Sequence, residues 1–481
     1  MSTTEKKDGT GGYKGKSLEI FSGKHITVGD TISVNTIDND HVDGILMPRY
    51  ESADDDHIVI KLKSGYNIGI EIATIQSIVK IMPYPNQTIP ETKSAFSVHT
   101  KGGIASGESI DNKRDYSSDL LLPNIALIST GGTIASKVDY RTGGVHSVLS
   151  ASDLYASIPE LRNYASVDAE VILNEYSENL KPEHWTLIAN KVAEKIKSRI
   201  YRGIIISHGT DTMHYTASAL SFALQNPPVP VVLVGAQRSS DRPSSDAALN
   251  LIGATVFCIK TSYSGVFVAM HAGPSDDVIA CHVGTRVRKN HTSRRDAFES
   301  IDIGPIALVK GDIVEMQVQR QPQLKLRQRN DTINDFLVKS SFDRRVTLVK
   351  FHPGFDPRLL ADVVMRLDYK ALILEGTGLG HISKECIPEI RKMIDSGIMV
   401  FMTSQCIWGR TRMTVYDTGR DLLKIGVIPL SDMISETALV KAMWVIANSK
   451  EREYSRQIMQ HSIANEISSV IPFTGKGIHR E

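Results

Sequence analysis

Two short segments place hydroxyl and carboxylate side chains directly after apolar runs: TGGTIA at residues 130–135 and HGTDT at residues 208–212. A third segment, RVRKN at residues 286–290, contributes the amine of Lys289. A threonine hydroxyl such as that of Thr133 attacks poorly alone, and a lysine whose pKa is lowered by desolvation can serve as its base. Threonine, lysine and aspartate side chains beside glycine-rich backbone donors therefore suit acyl transfer from an amide or ester, because the N–H groups stabilise the oxyanion.

Each segment alone also has a simpler interpretation. A TGGT turn after a strand can be a plain phosphate-binding or turn loop, an aspartate there can be only a helix N-cap, and a lysine in a basic stretch is usually solvated. A Ser–His–Asp hydrolase is not favoured, because the sequence contains no GxSxG motif. Phosphoryl transfer is not favoured either, because the nearest match to a Walker loop, at residues 11–17, lacks its first glycine.

The elements that must position these segments alternate between strands and helices from residue 123 onward. The predicted strands cover residues 125–129, 203–207, 230–235 and 266–271, and the predicted helices cover residues 151–158, 182–197, 212–225 and 245–259. This alternation predicts an α/β fold with a parallel sheet covered on both faces. Ligands bind beyond the carboxyl ends of strands in such sheets, so the chemical segments should meet at one edge.

The remaining segments give the domain organisation. The expected domains are a disordered tail (1–24), a small antiparallel β-barrel (25–84), a linker (85–120), a catalytic domain (121–335), a second α/β domain (345–450) and a peripheral C-terminal helix and tail (451–481). The barrel is predicted from five short alternating segments separated by turn residues, at 31–35, 41–47, 57–63, 67–72 and 75–81. The second domain has predicted strands at 346–350, 371–375 and 399–403.

Composition excludes several classes of protein. The 481 residues carry 55 Lys and Arg against 54 Asp and Glu, so the net charge of +1 excludes affinity for nucleic acid through bulk charge. No apolar run approaches the roughly 20 residues of a membrane span. The four cysteines lie far apart without a CxxC pair, which argues against a zinc or redox site and favours buried thiols in a cytoplasmic protein.

Together, the chemical segments resemble the L-asparaginase/glutaminase family over roughly residues 122–450. TGGTIA, HGTDTM and VGAQR (234–238) match that family in order and context. The resemblance implies a threonine nucleophile, an activating tyrosine in a lid, and a second group in which a lysine is the base. The residues implied as catalytic are Thr133, Tyr140, Thr210, Asp211 and Lys289.

The same resemblance implies how the substrate is held. Ser177 and Glu178 fall where the family binds the α-carboxylate and α-amino group, Asp211 also binds the α-ammonium, and the backbone N–H groups of Gly132 and Thr210 form the oxyanion site. The residues implied as substrate-binding are thus Gly132, Ser177, Glu178, Thr210 and Asp211, and no metal is implied. Residues 376–381 depart from the family pattern, so no site residue is assigned there.

About 120 residues precede the first strand of this body, whereas free-standing family members begin within a few residues of it. The small barrel resembles the Sm-like domain of D-type subunits of archaeal tRNA-dependent amidotransferases. That resemblance implies a homodimer within a heterotetramer of two D and two E subunits. It implies that this chain releases ammonia from glutamine or asparagine through an acyl-enzyme and has no cofactor of its own. It also implies that the E-type partner uses ATP and Mg²⁺ and binds most of the tRNA. The alternatives are a stand-alone cytosolic L-asparaginase with an accessory domain, and a non-catalytic binding module.

Two local basic groups bear on tRNA contact. The first contains Arg286, Arg288, Lys289, Arg294 and Arg295, and the second contains Lys325, Arg327 and Arg329. Such side chains can contact tRNA phosphates, and the alternative is a solvated face or a contact with another protein chain. Sm-like barrels can bind RNA, but the acidic run at residues 54–56 favours a protein contact for this one.

Overall fold

The computed structural model describes residues 13–38, 40–47, 56–62, 67–81, 122–132, 136–138, 145–147, 158–238, 245–321, 324–329 and 334–470. The chain divides into two compact units. One contains residues 1–122 and 138–144, and the other contains residues 123–137 and 145–481. The predicted linker (85–120) and most of the predicted helix at 151–158 lie outside the described residues. No helix in the described part of the chain is long and apolar enough to cross a membrane.

The first unit contains a five-stranded antiparallel sheet. Its elements are α1 (Gly15–Gly23), β1 (Thr31–Thr36), β2 (His41–Leu46), β3 (His57–Leu62), β4 (Asn67–Glu71), a 3₁₀ turn (Ile72–Thr74) and β5 (Ile75–Lys80). The strand order is β4-β3-β2-β1-β5, so the five predicted strands are confirmed. Among the described residues no pairing joins β4 to β5, so the sheet is not closed into the predicted barrel by backbone hydrogen bonds.

The predicted disordered tail is wrong for residues 13–24. Tyr13 and Phe21 are buried with the isoleucines of the sheet, and their rings meet edge to face with centroids 5.0 Å apart. The Tyr13 hydroxyl donates to the carbonyl oxygen of Met47 at 2.8 Å and accepts from the amide of Val59 at 3.0 Å. Two buried aromatic rings thus order a segment whose Gly- and Lys-rich composition suggested disorder.

The second unit begins with a nine-stranded sheet. Its strands are β6 (Asn124–Gly131), β9 (Ser166–Glu175), β10 (Gly203–Ser207), β12 (Pro230–Val234), β13 (Tyr263–His271), β14 (Ile279–Val283), β17 (Ala307–Lys310), β18 (Ile313–Met316) and β19 (Arg327–Gln328). The helices on its faces are α2 (Pro182–Lys197), α3 (Met213–Ala223) and α4 (Ala247–Lys260). Three pairs of short strands lie apart from it: β7 (Ser136–Val138) with β8 (Val145–Ser147), β11 (Leu224–Gln225) with β20 (Leu337–Val338), and β15 (Val287–Lys289) with β16 (Phe298–Ser300). Further 3₁₀ turns cover Pro159–Asn163, Ser177–Asn179 and Val318–Arg320.

The large sheet is mixed rather than wholly parallel, which corrects the prediction. Strands β13, β12, β10, β6 and β9 are parallel neighbours, but β14, β17 and β18 extend the sheet in antiparallel fashion. Short connections between β13 and β14 and between β17 and β18 leave no room for the crossover that a parallel neighbour needs. The parallel half carries the chemical segments.

Side-chain alternation explains why helices cover both faces of this sheet. In β10, Ile204 and Ile206 pack with α2 and α3, whereas Ile205 packs with α4 on the other face. A strand that is buried on both faces must be apolar at successive positions, which is why its sequence reads as a continuous run.

The second domain has a four-stranded parallel sheet. Its elements are β21 (Val346–Lys350), α5 (Arg358–Arg366), β22 (Ala371–Gly376), a 3₁₀ turn (Lys384–Cys386), α6 (Ile387–Asp395), β23 (Met399–Ser404), α7 (Asp417–Lys424), β24 (Ile428–Pro429), α8 (Ser435–Asn448) and α9 (Arg452–Gln460). Phe222 of α3 stacks on Trp444 of α8 with ring centroids 5.9 Å apart. These two helices share one apolar core with the four-stranded sheet.

Part of the C-terminal segment is not peripheral, contrary to the prediction, because Glu466 and Ser468 are buried. Lys441 of α8 and Glu466 are fully buried and form an ion pair at 2.6 Å. The Glu466 carboxylate also accepts hydrogen bonds from the amides of Ile463 and Ala464. Because a buried charge is costly unless it is paired and hydrogen-bonded, this pair requires Glu466 to lie inside the domain.

Candidate active site

A lysine, a threonine and an aspartate meet beyond the carboxyl end of β10. Thr210 and Asp211 follow β10, and Lys289 ends β15. The Lys289 amine donates to the Thr210 hydroxyl at 2.9 Å and to the Asp211 carboxylate at 2.6 Å. The Lys289 side chain is 8% exposed and that of Asp211 is 67% exposed. The amine is therefore shielded, while the carboxylate that holds it stays accessible to a ligand.

Close backbone packing joins the TGGT and HGTD segments. Gly132 has φ of +83°, and a Cβ at this position would lie 2.3 Å from the amide nitrogen of Gly209 and 2.5 Å from its Cα. Glycine is needed here for both the conformation and the approach. Gly132 is therefore adjacent to the His208–Gly209 peptide, one residue before Thr210, as expected if the N–H groups of Gly132 and Thr210 serve one oxyanion site.

The segment after β9 lies against the same turn. Ser177 is buried, and a Cβ on Gly209 would lie 2.8 Å from the Ser177 Cβ. The Ser177 carbonyl oxygen accepts a hydrogen bond from the Thr212 hydroxyl at 2.7 Å. Glu178 is exposed in the 3₁₀ turn Ser177–Asn179. The structure thus brings Ser177 to the Gly132, Thr210, Asp211 and Lys289 group, with Glu178 beside it in sequence.

The remaining two predicted catalytic residues, Thr133 and Tyr140, lie outside the described residues. Gly132 is the last described residue before Thr133, so the chain enters that position directly from the contact with Gly209. The predicted roles of both side chains stay predictions.

A fully buried histidine lies in the same turn as the threonine and the aspartate. His208 donates from Nδ1 to the carbonyl oxygen of Gly209 at 2.7 Å. Burial lowers the pKa of His208 to about 4, because the charged ring loses its hydration. At neutral pH the ring is therefore uncharged, and it supports the turn through its hydrogen bond to the Gly209 carbonyl oxygen.

Sequence reasoning did not identify Asp246, which organises the neighbouring VGAQR segment. Asp246 is fully buried, and its carboxylate accepts hydrogen bonds from the amides of Gln237 and Arg238 and from the side-chain amide of Asn250, all at 3.0 Å. A Cβ on Gly235 would lie 2.8 Å from the Thr210 Cγ2, so this loop supports the threonine. An aspartate and an asparagine four residues apart at a helix start were the only available signal.

Most side chains of the two basic groups are paired with acceptors of the same chain. In the first, Arg286 is buried against Asp432, Arg288 pairs with Glu436, Lys289 with Asp211, Arg294 with Asp296 and Arg295 with Asp276. In the second, Arg327 pairs with Asp335 and Arg329 donates to backbone carbonyl oxygens. These pairings favour the interpretation without tRNA contact for both groups.

The cysteines and carboxylates do not form a metal site in the described part of the chain. Cys258, Cys281 and Cys386 are buried as predicted, whereas Cys406 is exposed, which corrects the expectation of four buried thiols. Burial raises the pKa of Cys258 to about 12 and that of Cys386 to about 11, so these two thiols are unreactive at neutral pH.

Comparison with protein families gives matches to all three parts of the chain. Residues 124–322 match the family described as asparaginase, N-terminal, and residues 345–459 match the glutaminase/asparaginase C-terminal domain. Residues 26–81 match the GatD N-terminal domain. Among solved structures, the thermostable L-asparaginase from Thermococcus kodakarensis is 35% identical with a TM-score of 0.64, covering 72% of this chain and 100% of that one. L-asparaginase I from Vibrio cholerae is 26% identical with a TM-score of 0.62, covering 72% and 99%.

Curated relatives are similar over almost the whole chain, including the N-terminal unit. The D subunit of glutamyl-tRNA(Gln) amidotransferase from Methanopyrus kandleri is 42% identical over 456 residues, covering 95% of this chain and 94% of the relative. The protein of the same name from Pyrococcus furiosus is 42% identical over 459 residues, covering 95% and 98%. The chain therefore belongs to the family of glutamyl-tRNA(Gln) amidotransferase D subunits, and its catalytic body is of the asparaginase/glutaminase amidohydrolase type.

Proposed function

We propose that this chain supplies ammonia for the conversion of Glu-tRNA(Gln) to Gln-tRNA(Gln), by hydrolysing the side-chain amide of glutamine or asparagine. Thr133 attacks the amide carbon, a C–O bond forms, and the tetrahedral oxyanion accepts hydrogen bonds from the N–H groups of Gly132 and Thr210. The C–N bond then breaks, the departing nitrogen takes a proton and leaves as ammonia, and water hydrolyses the acyl-enzyme.

The observation that carries this proposal is the contact of Lys289 with both Thr210 and Asp211. An amine in its neutral form can accept a proton from a hydroxyl or water and return it to the departing nitrogen, and Lys289 lies at the distance from a hydroxyl that such a transfer needs. Asp211, being exposed, can at the same time pair with the α-ammonium of the substrate. Tyr140 activates Thr133, while Ser177 and Glu178 hold the α-carboxylate and α-amino group.

We further propose that the chain works in the cytoplasm as a homodimer, in complex with two copies of an E-type partner. The names of the relatives support an amidotransferase complex. In this arrangement the partner uses ATP and Mg²⁺ to activate the glutamyl group and binds most of the tRNA, and the chain itself needs no cofactor. The internal pairing of its basic groups is consistent with that division of labour.

The chemical step is tested by measuring ammonia release from glutamine and asparagine by Thr133→Ala and Lys289→Met. Both variants should lose nearly all hydrolysis while their melting temperatures stay close to that of the parent protein, since residues that act as a unit give large losses. A matched control is Lys310→Met, which removes an exposed lysine paired with Glu315 on the same sheet. Full activity in either site variant would refute the assignment.

The biological assignment is tested on the full-length chain with and without an E-type partner and tRNA. Hydrolysis that rises when the partner and tRNA are added supports the amidotransferase function. Vigorous asparagine hydrolysis that neither addition changes would instead favour a stand-alone cytosolic L-asparaginase.

A further inference from the structure

The strand that carries Lys289 is poorly anchored by its own sheet. β15 is three residues long and, within the described part of the chain, pairs with β16 alone, in a two-stranded ribbon separate from the large sheet. Two short strands have little stability alone, so the position of Lys289 must be set by other contacts. Val287 supplies one of them, because it is fully buried in the core of the catalytic domain. Further contacts, made by the residues on either side of Val287, come from the second domain.

Arg288, the neighbour of Lys289, makes the nearest of them. Side chains alternate along a strand, so Arg288 points to the face opposite that of Lys289. Its Nε donates to the Glu436 carboxylate at 2.7 Å, and its Nη1 donates to the Asn290 side chain at 3.2 Å. Glu436 is 14% exposed and lies in the first turn of α8. The Arg288–Glu436 pair therefore ties the residue before Lys289 to α8, and the Asn290 contact joins the residue after Lys289 to the same guanidinium.

The residues just before β15 are held by the same helix and by the tail. Thr437 donates from its hydroxyl to the carbonyl oxygen of Thr285 at 3.0 Å, and the Thr285 hydroxyl donates to the carbonyl oxygen of Ala464 at 2.7 Å. Arg286 is fully buried and donates to the Asp432 carboxylate, to the Ser468 hydroxyl and to the Asn465 carbonyl oxygen. The buried ion pair of Lys441 fixes this part of the tail in turn.

We propose that Arg288 and Glu436 are positioning residues for Lys289, and that the first turn of α8 with residues 464–468 forms a clamp that fixes β15 in its working position. Neither side chain reaches the reacting atoms. They act by holding the Lys289 amine within reach of Thr210 and Asp211. The inference rests on the proposed function, because it takes Lys289 as the base of the amide hydrolysis.

Glu436→Ala in the full-length protein tests the clamp, and Glu389→Ala is its matched control. Glu389 also lies in the first turn of a helix of the second domain and forms an ion pair, with Lys392 at 2.6 Å, but that pair has no contact with β15 among the described residues. Loss of the Arg288 contact should lower kcat for glutamine about tenfold to hundredfold, since a displacement of about 1 Å can cost that much. KM should stay within about twofold, because Asp211, Ser177 and Glu178 are untouched. The control should keep the parent kcat and KM.

A third variant tests whether the loss of kcat comes from a displaced Lys289 or from a general loss of stability. Glu436→Gln keeps an oxygen that accepts from Arg288, so it should recover most of the lost kcat even if its melting temperature falls with that of Glu436→Ala. Equal kcat in Glu436→Ala and Glu389→Ala overturns the inference, as does an equal loss of kcat in the Ala and Gln variants. Lys289→Met distinguishes failure of the proposed function from failure of the clamp. If Lys289→Met keeps full activity, the proposed function is refuted. If Lys289→Met is inactive while Glu436→Ala keeps the parent kcat, the clamp alone is refuted.

Discussion

Replacing Gly132 by alanine tests whether the two glycine-rich turns must touch for catalysis. The added Cβ would lie 2.3 Å from the amide nitrogen of Gly209, and ordinary contact begins at 3.4 Å. The turns must therefore separate by roughly 1 Å, which shifts the Thr210 amide relative to Thr133. A misplacement of that size should lower kcat/KM for amide hydrolysis about 100-fold, or about 2.7 kcal/mol of transition-state stabilisation.

The stability cost of the same change has two parts. Alanine at φ of +83° costs about 1–2 kcal/mol, and the overlap adds about 1–3 kcal/mol. Gly397→Ala is the matched control, because Gly397 has φ of +94° and no atom within 4 Å of its Cβ position. It should lower the melting temperature by the conformational part alone and leave kcat/KM unchanged.

The assay is ammonia release from glutamine across a range of substrate concentrations, with thermal denaturation of the same samples. Parent-like kcat/KM in Gly132→Ala, or an equal loss in Gly397→Ala, would show that the close contact at the Thr210 turn does not set the activity.

Three further outcomes follow from burial. Lys441→Met leaves Glu466 charged and unpaired in the core and should cost about 3–5 kcal/mol in urea unfolding, whereas the double variant with Glu466→Met should recover much of that loss; a single variant as stable as the parent would contradict this. Burial lowers the pKa of His208 and His214 to about 4 from 6.5, so the unfolded chain binds protons that the folded chain does not. Stability should therefore fall as the pH drops from about 6.5 to about 4, by up to about 3 kcal/mol per histidine, and a melting temperature constant over this window would be the contrary result. Finally, a thiol reagent should react rapidly with Cys406 alone in the folded protein and with four thiols after unfolding.

Local pattern was sufficient for elements with a continuous apolar run or a clear helical period. The strands β10 and β21 and the helix α2 have the predicted bounds, because continuous apolar runs and a clean helical period leave no competing interpretation. β9 was missed because it lies at the sheet edge and is half exposed along its length. The direction of β14, β17 and β18 depends on their pairing with neighbouring strands, and the residue pattern within one strand does not indicate that direction.

In the site, too, local sequence pattern predicted the turns that follow strands but not the contacts between residues far apart in the sequence. The turns after β6 and β10 could be placed at one sheet edge from the strand pattern alone. Lys289 is 79 residues from Thr210, and only the family resemblance paired them. Nothing in the polar C-terminal sequence indicated that Glu466 is buried against Lys441, because the cost of a buried charge depends on a partner that only folding supplies.

The clamp around β15 also governs when the enzyme can begin to work during its own synthesis. Ala464 and Asn465 are 179 residues beyond the residues they hold, Thr285 and Arg286. Translation at about 5–20 residues per second takes roughly 10–35 s over that distance. During this interval the nascent chain already contains Lys289 but lacks the segment that completes its support. We therefore expect that ribosome-bound chains do not hydrolyse free glutamine until their C-terminal segment has emerged.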